Sequence, residues 1–455
     1  MRQDNDLEAQ AAKLKNMTEA PVKQLILKLA GSTMVSMMIT SIYNLADTFF
    51  VGRIGTSATA AVGIAFPLMS IIQAIGFMFG HGSGNYISRA LGAQKTEEAK
   101  IMASMGFFSA LIGGILFSWT GLLFLHPLVR LLGATETMMS YATQYVRIIL
   151  IGAPWMCASL VLNNQLRFQG NAFFSMIGIT SGGILNIILD PLLIFVLNMG
   201  IQGAALATII SQLASFCLLF AGTRKSDNLN IHFCNFRPRL RYYVEMFKGG
   251  APSLCRQGIA SIATTVMNHS AGIYGDAAVA AISIVTRIMQ FFNSMMIGFA
   301  QGFQPVCGFN YGAKKYKRVR EGFFFCVRVC TVFLTIVAVA AFIFAPMIIR
   351  QFRKEDLDVL QIGVLSLRLQ CLTLPLSALV MVSNMMMQVL AKVGRASVLA
   401  LARQGLFLLP LLLILPGFFG LLGIQIAQPI SDLISFSLAL ILETGLLRQL
   451  KQNEQ

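Results

Sequence analysis

Two carboxylates and two neutral polar side chains lie inside long apolar stretches of the first half of the chain. Asp190 follows Asn186 by four residues, so on a helix the two side chains share one face and can hold the same proton or cation. An aspartate near the middle of a membrane helix costs at least about 2.5 kcal/mol, and such residues usually face a cavity or an ion path. We therefore interpret Asp190 as a functional carboxylate, rather than one that a neighbouring helix merely satisfies.

Three further residues extend this candidate site. Asp47 lies one or two turns inside the end of the first predicted span, which places it at the mouth of an outward-facing cavity. Thr208 lies about one turn into the sixth predicted span and can add a hydroxyl ligand. Pro191 lacks a backbone N–H and can bend the helix, which would free a carbonyl close to Asp190. Together these residues predict a site for a proton or a cation such as Na⁺, and no other metal site.

Composition identifies the class of protein. Of the 455 residues, 56% are hydrophobic and only 12% are charged, and the mean hydropathy is +0.70. Soluble domains are less apolar and carry about 25% charged residues. Twelve apolar runs, each long enough to cross a bilayer, lie between Val22 and Leu447. We expect an all-α polytopic membrane protein whose first helix inserts without a cleavable signal, because the polar N-terminus has no short apolar core followed by a cleavage site.

The basic residues are unevenly distributed along the chain. The net charge is +16, and with both termini in the cytoplasm most of the 35 lysines and arginines fall in cytoplasmic segments. This is the bias that the positive-inside rule describes. Two basic clusters, at 237–241 and 314–320, would then face anionic lipid headgroups. The distribution favours membrane lipids over nucleic acid as the partner of the basic residues.

Neither the cysteines nor the histidines form a metal-binding or catalytic pattern. The eight cysteines contain no Cys-x-x-Cys pair and mostly fall within predicted spans, so disulfides and zinc sites are not expected. The four histidines are scattered, without a spacing such as His-Glu-x-x-His. We therefore expect neither an enzyme nor a protein that needs a cofactor.

The two halves of the chain are similar to each other at an offset of 220 residues. This offset aligns Gly92 with Gly312, Gly203 with Gly423 and, in the sixth and twelfth spans, Ser211 with Ser431. An offset that persists over whole halves indicates two copies of one unit. Each copy has six spans, an even number, so the copies are related by a pseudo-two-fold axis along the membrane normal, and the substrate path is expected between them.

Composition shifts divide the chain into five segments. The polar stretch in the middle, rich in Arg, Lys, Asn and Pro, is interpreted as a linker between the two lobes. The predicted segments are a cytoplasmic tail at 1–21, a first lobe at 22–222, a basic cytoplasmic linker at 223–244, a second lobe at 245–447 and a C-terminal tail at 448–455.

The two copies differ in their chemistry. The offset places Met267 where the first lobe has Asp47, and Pro410 where it has Asp190, so we expect ion coupling in the first lobe. Asp432, in the twelfth span, is a reserve coupling candidate. Methionine suits surfaces that accept varied apolar ligands, and arginines suit anionic ones. The second-lobe residues that we expect to line a substrate cavity are Arg256, Arg287, Met289, Asn293, Met385 and Gln388.

The combination of these features resembles the multidrug and toxic compound extrusion (MATE) family. The resemblance rests on the Arg89–Ala93 motif, its counterpart within Gln304–Ala313, Asp47 in the first span, and Asn186 with Asp190 in the fifth. It covers about residues 22–447. It implies twelve helices in two lobes that form a V, in a multi-pass protein of the bacterial cytoplasmic (inner) membrane.

The resemblance also implies an activity and a site. Members of the family export organic cations or amphipathic drugs against entry of Na⁺ or H⁺, and the positions of their cation site correspond here to Asp47, Asn186, Asp190 and Thr208. One branch of the family carries acids in the seventh, eighth or tenth span, where this chain has none. The chain is in this respect similar to the bacterial multidrug efflux branch.

We therefore expect an antiporter of cationic or amphipathic drugs that acts as a monomer. The nearest alternative is a lipid-linked oligosaccharide flippase of related architecture, whose cavity needs several cations for pyrophosphate. Arg256 and Arg287 are suggestive of such a cavity, although two arginines are few. A channel is a further alternative, but duplicated lobes favour alternating access.

Overall fold

A computed structural model of the chain describes residues 2–134, 136–224, 228–352 and 356–454. Within these ranges the chain is helical almost throughout and has no β-strand. A bilayer requires every backbone polar group to be paired inside its own segment, and long helices meet that requirement. The predicted all-α class is confirmed.

The first half of the chain forms an N-terminal helix, six spanning helices and one short connecting helix. The sequence predicts that the fourth span ends at about Asn164, but the helix continues to Phe168. Arg167 therefore lies on this helix. In chain order the helices are α1 (Arg2–Glu19), α2 (Val22–Gly52), α3 (Thr56–Gly92), α4 (Thr96–Leu123), α5 (Leu125–Leu131), α6 (Glu136–Phe168), α7 (Ala172–Pro191) and α8 (Gly200–Thr223).

The second half repeats this plan with more interruptions. A 3₁₀ turn at Leu374–Leu376 divides the tenth span, and a π-helical turn at Ala402–Leu406 divides the eleventh. The helices are α9 (Leu240–Gly272), α10 (Asp276–Gly312), α11 (Tyr316–Ile343), α12 (Ala345–Phe352), α13 (Leu357–Thr373), α14 (Ser377–Val389), α15 (Val393–Leu401), α16 (Leu408–Phe419) and α17 (Leu421–Gln452).

Among the described helices, eleven spans are long and apolar enough to cross a membrane by composition alone. The seventh span, α9, is 33 residues long but carries polar residues such as Arg256 and Gln257. It packs closely on α3, where Gln257 Nε2 donates to Gln73 Oε1 at 3.4 Å. Part of its polar surface therefore lies between the two halves of the protein, where it avoids lipid.

The halves repeat each other's backbone conformations at the predicted offset of 220 residues. Positive φ angles occur at Gln94 (60°) and Lys314 (58°), and again at Gly200 (54°) and Gly420 (58°). Positive φ is uncommon outside glycine, so its recurrence at Gln94 and Lys314 marks equivalent turns. The predicted arrangement of two six-helix lobes is confirmed, and we call α2–α8 the first lobe and α9–α17 the second.

The lobes approach each other closely at a pair of equivalent glycines. A Cβ atom on Gly92 would collide with the backbone of Phe309, and a Cβ on Gly312 would collide with the backbone of Arg89. Phe309 and Arg89 are themselves equivalent positions, so the pseudo-two-fold axis passes between these contacts. The pairing of α3 with α9 and of α2 with α10 follows the same symmetry. Only glycine permits this approach of one backbone to another.

The lobes touch at one end and part at the other. On α9, Gly249–Ser253 are buried against α3, whereas Thr264 and Thr265 are exposed. We call the space between the lobes beyond Gln257 of α9 the interlobe cleft. The contact end is the one that carries the basic cluster at 314–320, so the cleft opens away from that cluster.

Helix α1 is attached to the contact end through its last carbonyl groups. Asn310 Nδ2 donates to Met17 O at 3.1 Å, Lys315 Nζ to Thr18 O at 3.1 Å, and Arg318 Nη2 to Ala20 O at 2.5 Å. Cations are favourable at the negative end of a helix dipole. Part of the basic cluster therefore binds protein, in addition to any contact with lipid headgroups.

Candidate functional site

The fifth span is interrupted directly after Asp190. Helix α7 ends at Pro191, and a π-helical turn follows over Leu192–Val196. Single π turns in helices are frequent at functional sites. Gly203 lies against this turn, where a Cβ would be 2.7 Å from Leu193 O. The interruption predicted from Pro191 is present in the structure, as a π turn.

Asp190 lies in the interior of the first lobe. Its side chain is 0% exposed, and Asn186 Nδ2 donates to its Oδ1 at 3.4 Å. Two glycines allow the neighbouring helices to come close: Gly183 packs on Tyr43 of α2, and Gly182 packs on Ser215 of α8. The helix face that carries Asp190 therefore points into the lobe and away from lipid.

Asp47 belongs to the same electrostatic environment. It is half-buried near the end of α2. Its carboxylate is near enough to Asp190 for the two charges to interact, and both acids interact with the buried Tyr145 of α6. Three helices, α2, α6 and α7, thus bring these groups together.

Thr208 lies about two turns inside α8, which begins at Gly200. This is one turn deeper than predicted. Its hydroxyl donates to Ala204 O of the same helix at 3.1 Å, and the residue is 9% exposed. A hydroxyl that donates to its own helix keeps its lone pairs for another partner. Helix α8 packs on α7.

What the site formed by Asp47, Asn186 and Asp190 can bind follows from its oxygen atoms that accept no hydrogen bond. In the described part of the chain these are Asp47 Oδ1, Asn186 Oδ1 and Asp190 Oδ2, all buried. Buried polar atoms are normally paired. Hard cations bind carboxylate and amide oxygens, and a proton would also satisfy a carboxylate. The arrangement fits a cation or a proton as the missing partner.

The second-lobe cavity candidates fall into different environments. Arg287 is exposed on α10, and Asn293 is half-buried with no donor to its Oδ1. Met289 is buried in the core of the second lobe, as are Met385 and its two following methionines. Gln388 is also buried, where its Nε2 donates to Asn384 at 3.0 Å. In this conformation the methionine run contributes packing and faces no open space.

Asp432, the reserve candidate, lies in a complete ion pair. Arg403 Nε donates to its Oδ1 at 2.7 Å, Gln428 Nε2 donates to the same oxygen at 2.9 Å, and Thr373 Oγ1 donates to Oδ2 at 3.3 Å. Arg403 comes from the π turn of the eleventh span. The contacts of Asp432 are those of a carboxylate that holds two broken or bent spans together.

Removing the arginine of this pair should strongly destabilise the second lobe. Arg403→Met leaves the Asp432 charge buried without its cation, which costs about 3–5 kcal/mol. The double variant Arg403→Met, Asp432→Leu removes both charges and is expected to recover most of that loss. Thermal unfolding of the purified proteins in nanodiscs measures both effects. A single variant as stable as the wild type would contradict this role for the pair.

The sequence reasoning missed a fourth membrane carboxylate. Glu443 on α17 is 3% exposed, and both of its carboxylate oxygens lack a donor, although Ser383 and Arg395 lie close by. A signal was available, because Ser431, Ser435 and Glu443 recur at multiples of four residues along one helix face. Glu443 was overlooked because it lies near the end of the predicted span.

A polar network that connects the lobes was also missed. At the contact end, Arg89 Nη1 donates to Val389 O of α14, and its Nη2 is 3.8 Å from Glu245 Oε2 of α9. Deeper in, Arg167 Nη2 donates to Gln304 Oε1 of α10 at 3.3 Å. The Arg89–Ala93 motif therefore forms part of the contact between the lobes.

Comparisons with known proteins agree with this architecture. The MatE family model matches residues 33–192 and 252–414. The multidrug export protein MepA of Staphylococcus saprophyticus is 28% identical over 417 residues, 91% of this chain and 92% of the relative. MepA of Staphylococcus haemolyticus is 27% identical over 422 residues, 92% of each chain.

Solved structures are similar over nearly the whole chain. An outward-facing multidrug resistance MATE family transporter of the MOP superfamily superimposes with a TM-score of 0.91 at 26% identity, covering 96% of this chain and 98% of that one. The resemblance inferred from the Arg89–Ala93 motif and the membrane acids is confirmed. The chain belongs to the MatE family and is a membrane transporter, not an enzyme.

Proposed function

We propose that this protein is a secondary active multidrug efflux transporter that exports organic cations or amphipathic drugs in exchange for Na⁺ or H⁺. The observation that carries the proposal is the set of three buried oxygens without donors, on Asp47, Asn186 and Asp190, inside one lobe of a two-lobe transporter. Relatives named as multidrug export proteins support the substrate class and direction. No cofactor is needed, because the ion gradient supplies the energy.

Neutralisation of Asp190 is the proposed switch. A carboxylate shut away from water is unfavourable unless a cation or proton compensates its charge. The incoming ion binds Asp190 with help from Asn186, Asp47 and Thr208, and this changes which packing of α2, α7 and α8 is favoured. The π turn after Pro191 lets the two parts of the fifth span move separately. The repacked first lobe then holds the drug less tightly, and the drug leaves.

The proposed orientation places the basic clusters, and both termini, in the cytoplasm of a bacterium, with the protein as a monomer in the inner membrane. The interlobe cleft then opens to the outside. A lobe contact on the cytoplasmic side and an open cleft on the other side are the features of an outward-facing state. Rocking of the lobes about their glycine contacts would expose the cleft to the cytoplasm.

A vesicle assay tests the proposed function. Proteoliposomes loaded with a fluorescent organic cation should release it when an inward Na⁺ or H⁺ gradient is imposed, and the effective ion identifies the coupling. Vesicles without protein and vesicles with both gradients collapsed are the controls. Release that ignores both gradients would exclude antiport.

A flippase for lipid-linked oligosaccharides is the second candidate function. Two arginines from opposite lobes, Arg167 and Arg256, interact electrostatically near the contact end, and pyrophosphate is a natural ligand for paired guanidinium groups. A flippase would leave the fluorescent cation in the vesicles under either gradient. It would instead move a labelled lipid pyrophosphate between leaflets, which dithionite quenching detects.

A further inference from the structure

Arg167 and Arg256 lie near each other at the inner end of the interlobe cleft. Arg167 is on α6 of the first lobe and is 2% exposed, and Arg256 is on α9 of the second lobe and is half-buried. The two charges are close enough to repel each other, and both act on the buried His81 of α3. Arg256 is next to Gln257, which bonds to Gln73 of α3 across the lobes.

Among the residues that the structure describes, no acid compensates these two arginines. In the described part of the chain neither forms an ion pair, and Arg167 bonds only to neutral amides, Asn164 Oδ1 at 2.7 Å and Gln304 Oε1 at 3.3 Å. Its guanidinium carbon also lies 5.1 Å from the centre of the Phe168 ring. These neutral partners do not compensate the positive charge of Arg167.

Several N–H groups at the same place point to a missing partner. Arg167 Nε, Arg256 Nη1 and Gln304 Nε2 are buried without an acceptor. His81 Nδ1 and the Ser253 hydroxyl are 2.8 Å apart, and His81 Nε2, which is an N–H donor in the tautomer that accepts the Ser253 proton at Nδ1, has no partner either. These groups come from four helices of both lobes. Buried donors are normally paired, and a buried charge without a counter-charge costs several kcal/mol.

We propose that Arg167 and Arg256, with Gln304 and His81, form an anion subsite at the inner end of the cleft, which binds a carboxylate or phosphate group of the transported molecule. This inference rests on the proposed export function and narrows its substrate class to amphipathic molecules that carry an anionic group. Guanidinium groups bind such anions with charge-assisted hydrogen bonds.

The position of the subsite assigns it a mechanical role. Its arginines belong to different lobes, so an anion between them offsets their repulsion and favours closure of the contact end. Below it, Arg89 bonds to Val389 O and closes the cleft from the basic side. When the lobes part at this end, the two arginines separate and the anion loses one of its partners. Binding of the anion and closure of the lobes are therefore coupled.

The test uses two dyes that differ in one charge. Rhodamine B has a free carboxylate, and its ethyl ester does not. We expect the purified full-length protein in nanodiscs to bind rhodamine B about tenfold more tightly than the ester, because a charge-assisted hydrogen bond is worth that much. Arg256→Gln should remove this difference in affinity between the two dyes, and Arg256→Lys should retain part of it. Arg448→Gln, which removes an equal charge from an exposed site near the end of α17, should retain the full difference in affinity.

The possible results of this experiment test the anion subsite independently of the proposed export function. Equal affinity for both dyes in the wild type, or the same loss in Arg448→Gln as in Arg256→Gln, would overturn the anion subsite even if the ester is exported in vesicles. Arg256-dependent rhodamine B binding would support the subsite even if vesicles show no antiport. Farnesyl pyrophosphate serves as competitor: displacement of rhodamine B from the wild type supports a site that also accepts lipid phosphate. Intrinsic-fluorescence melting checks that each variant is folded.

Discussion

Asp190→Asn should abolish gradient-driven export while leaving the protein folded. Asparagine keeps the volume of the side chain and can still bond to Asn186, but it takes up no proton at physiological pH, and its neutral amide holds a cation much less tightly than a carboxylate does. The ion then has no differential affinity for the two conformations and cannot drive the transition. Site couplings are typically about 1–3 kcal/mol, or about 5-fold to 150-fold. We expect efflux in the vesicle assay to fall at least about tenfold.

The thermal stability of Asp190→Asn should not fall, although its export does. The Asp190 carboxylate is fully buried and one of its oxygens has no donor, so the neutral amide should be at least as stable in thermal unfolding. Asp358→Asn, which removes an acid from the exposed start of α13, is the matched control and should leave export unchanged. Export by Asp190→Asn at the wild-type rate would refute the assignment of the coupling carboxylate.

Gly302→Ala should prevent the lobes from closing at their contact end. A Cβ on Gly302 would lie 2.5 Å from Ala30 Cα and N on α2. The atoms in its way include backbone, so a side-chain rotation cannot relieve the overlap and the helices must separate. Overpacking of this kind costs about 1–3 kcal/mol, which is enough to shift a two-state population about 5-fold to 150-fold. We expect a corresponding loss of export.

Cys307 reports on this change of conformation. It is fully buried on α10, near enough to Arg89 to interact with it electrostatically. If Gly302→Ala parts the lobes, maleimide labelling of Cys307, followed by peptide mass mapping, should rise. Gly258→Ala is the matched control, because nothing lies within 4 Å of its Cβ position on α9. Unchanged labelling and export in Gly302→Ala would show that this glycine contact is not needed for closure.

Periodicity and composition were sufficient for the architecture. The apolar runs predicted all twelve spans, and the repeated glycines predicted the pseudo-two-fold axis, which the structure shows directly in the contacts of Gly92 and Gly312. The span boundaries were less accurate where polar residues continue a helix. The fourth span was predicted to end at about Asn164, although α6 continues to Phe168 and carries Arg167.

Local spacing could also pair residues of one helix, but not residues of different lobes. The four-residue separation of Asn186 and Asp190 predicted that their side chains share one helix face, where the structure shows them bonded to each other. No spacing indicated that Arg167 and Arg256, far apart in the chain, would share one end of the cleft, nor that Asp432 would be neutralised by Arg403. Such contacts depend on how the helices pack against each other.

The sequence by itself determined the class of protein, the doubled six-helix plan and the helix faces that carry the first-lobe acids, because helix periodicity and hydrophobicity are local properties. Only the tertiary structure decided which charges are paired and which are left without partners. Asp432 and Asp190 look alike as acids within apolar runs, yet the first meets an arginine and the second meets an asparagine. That difference arises from packing between helices, which brings together side chains that are remote in sequence.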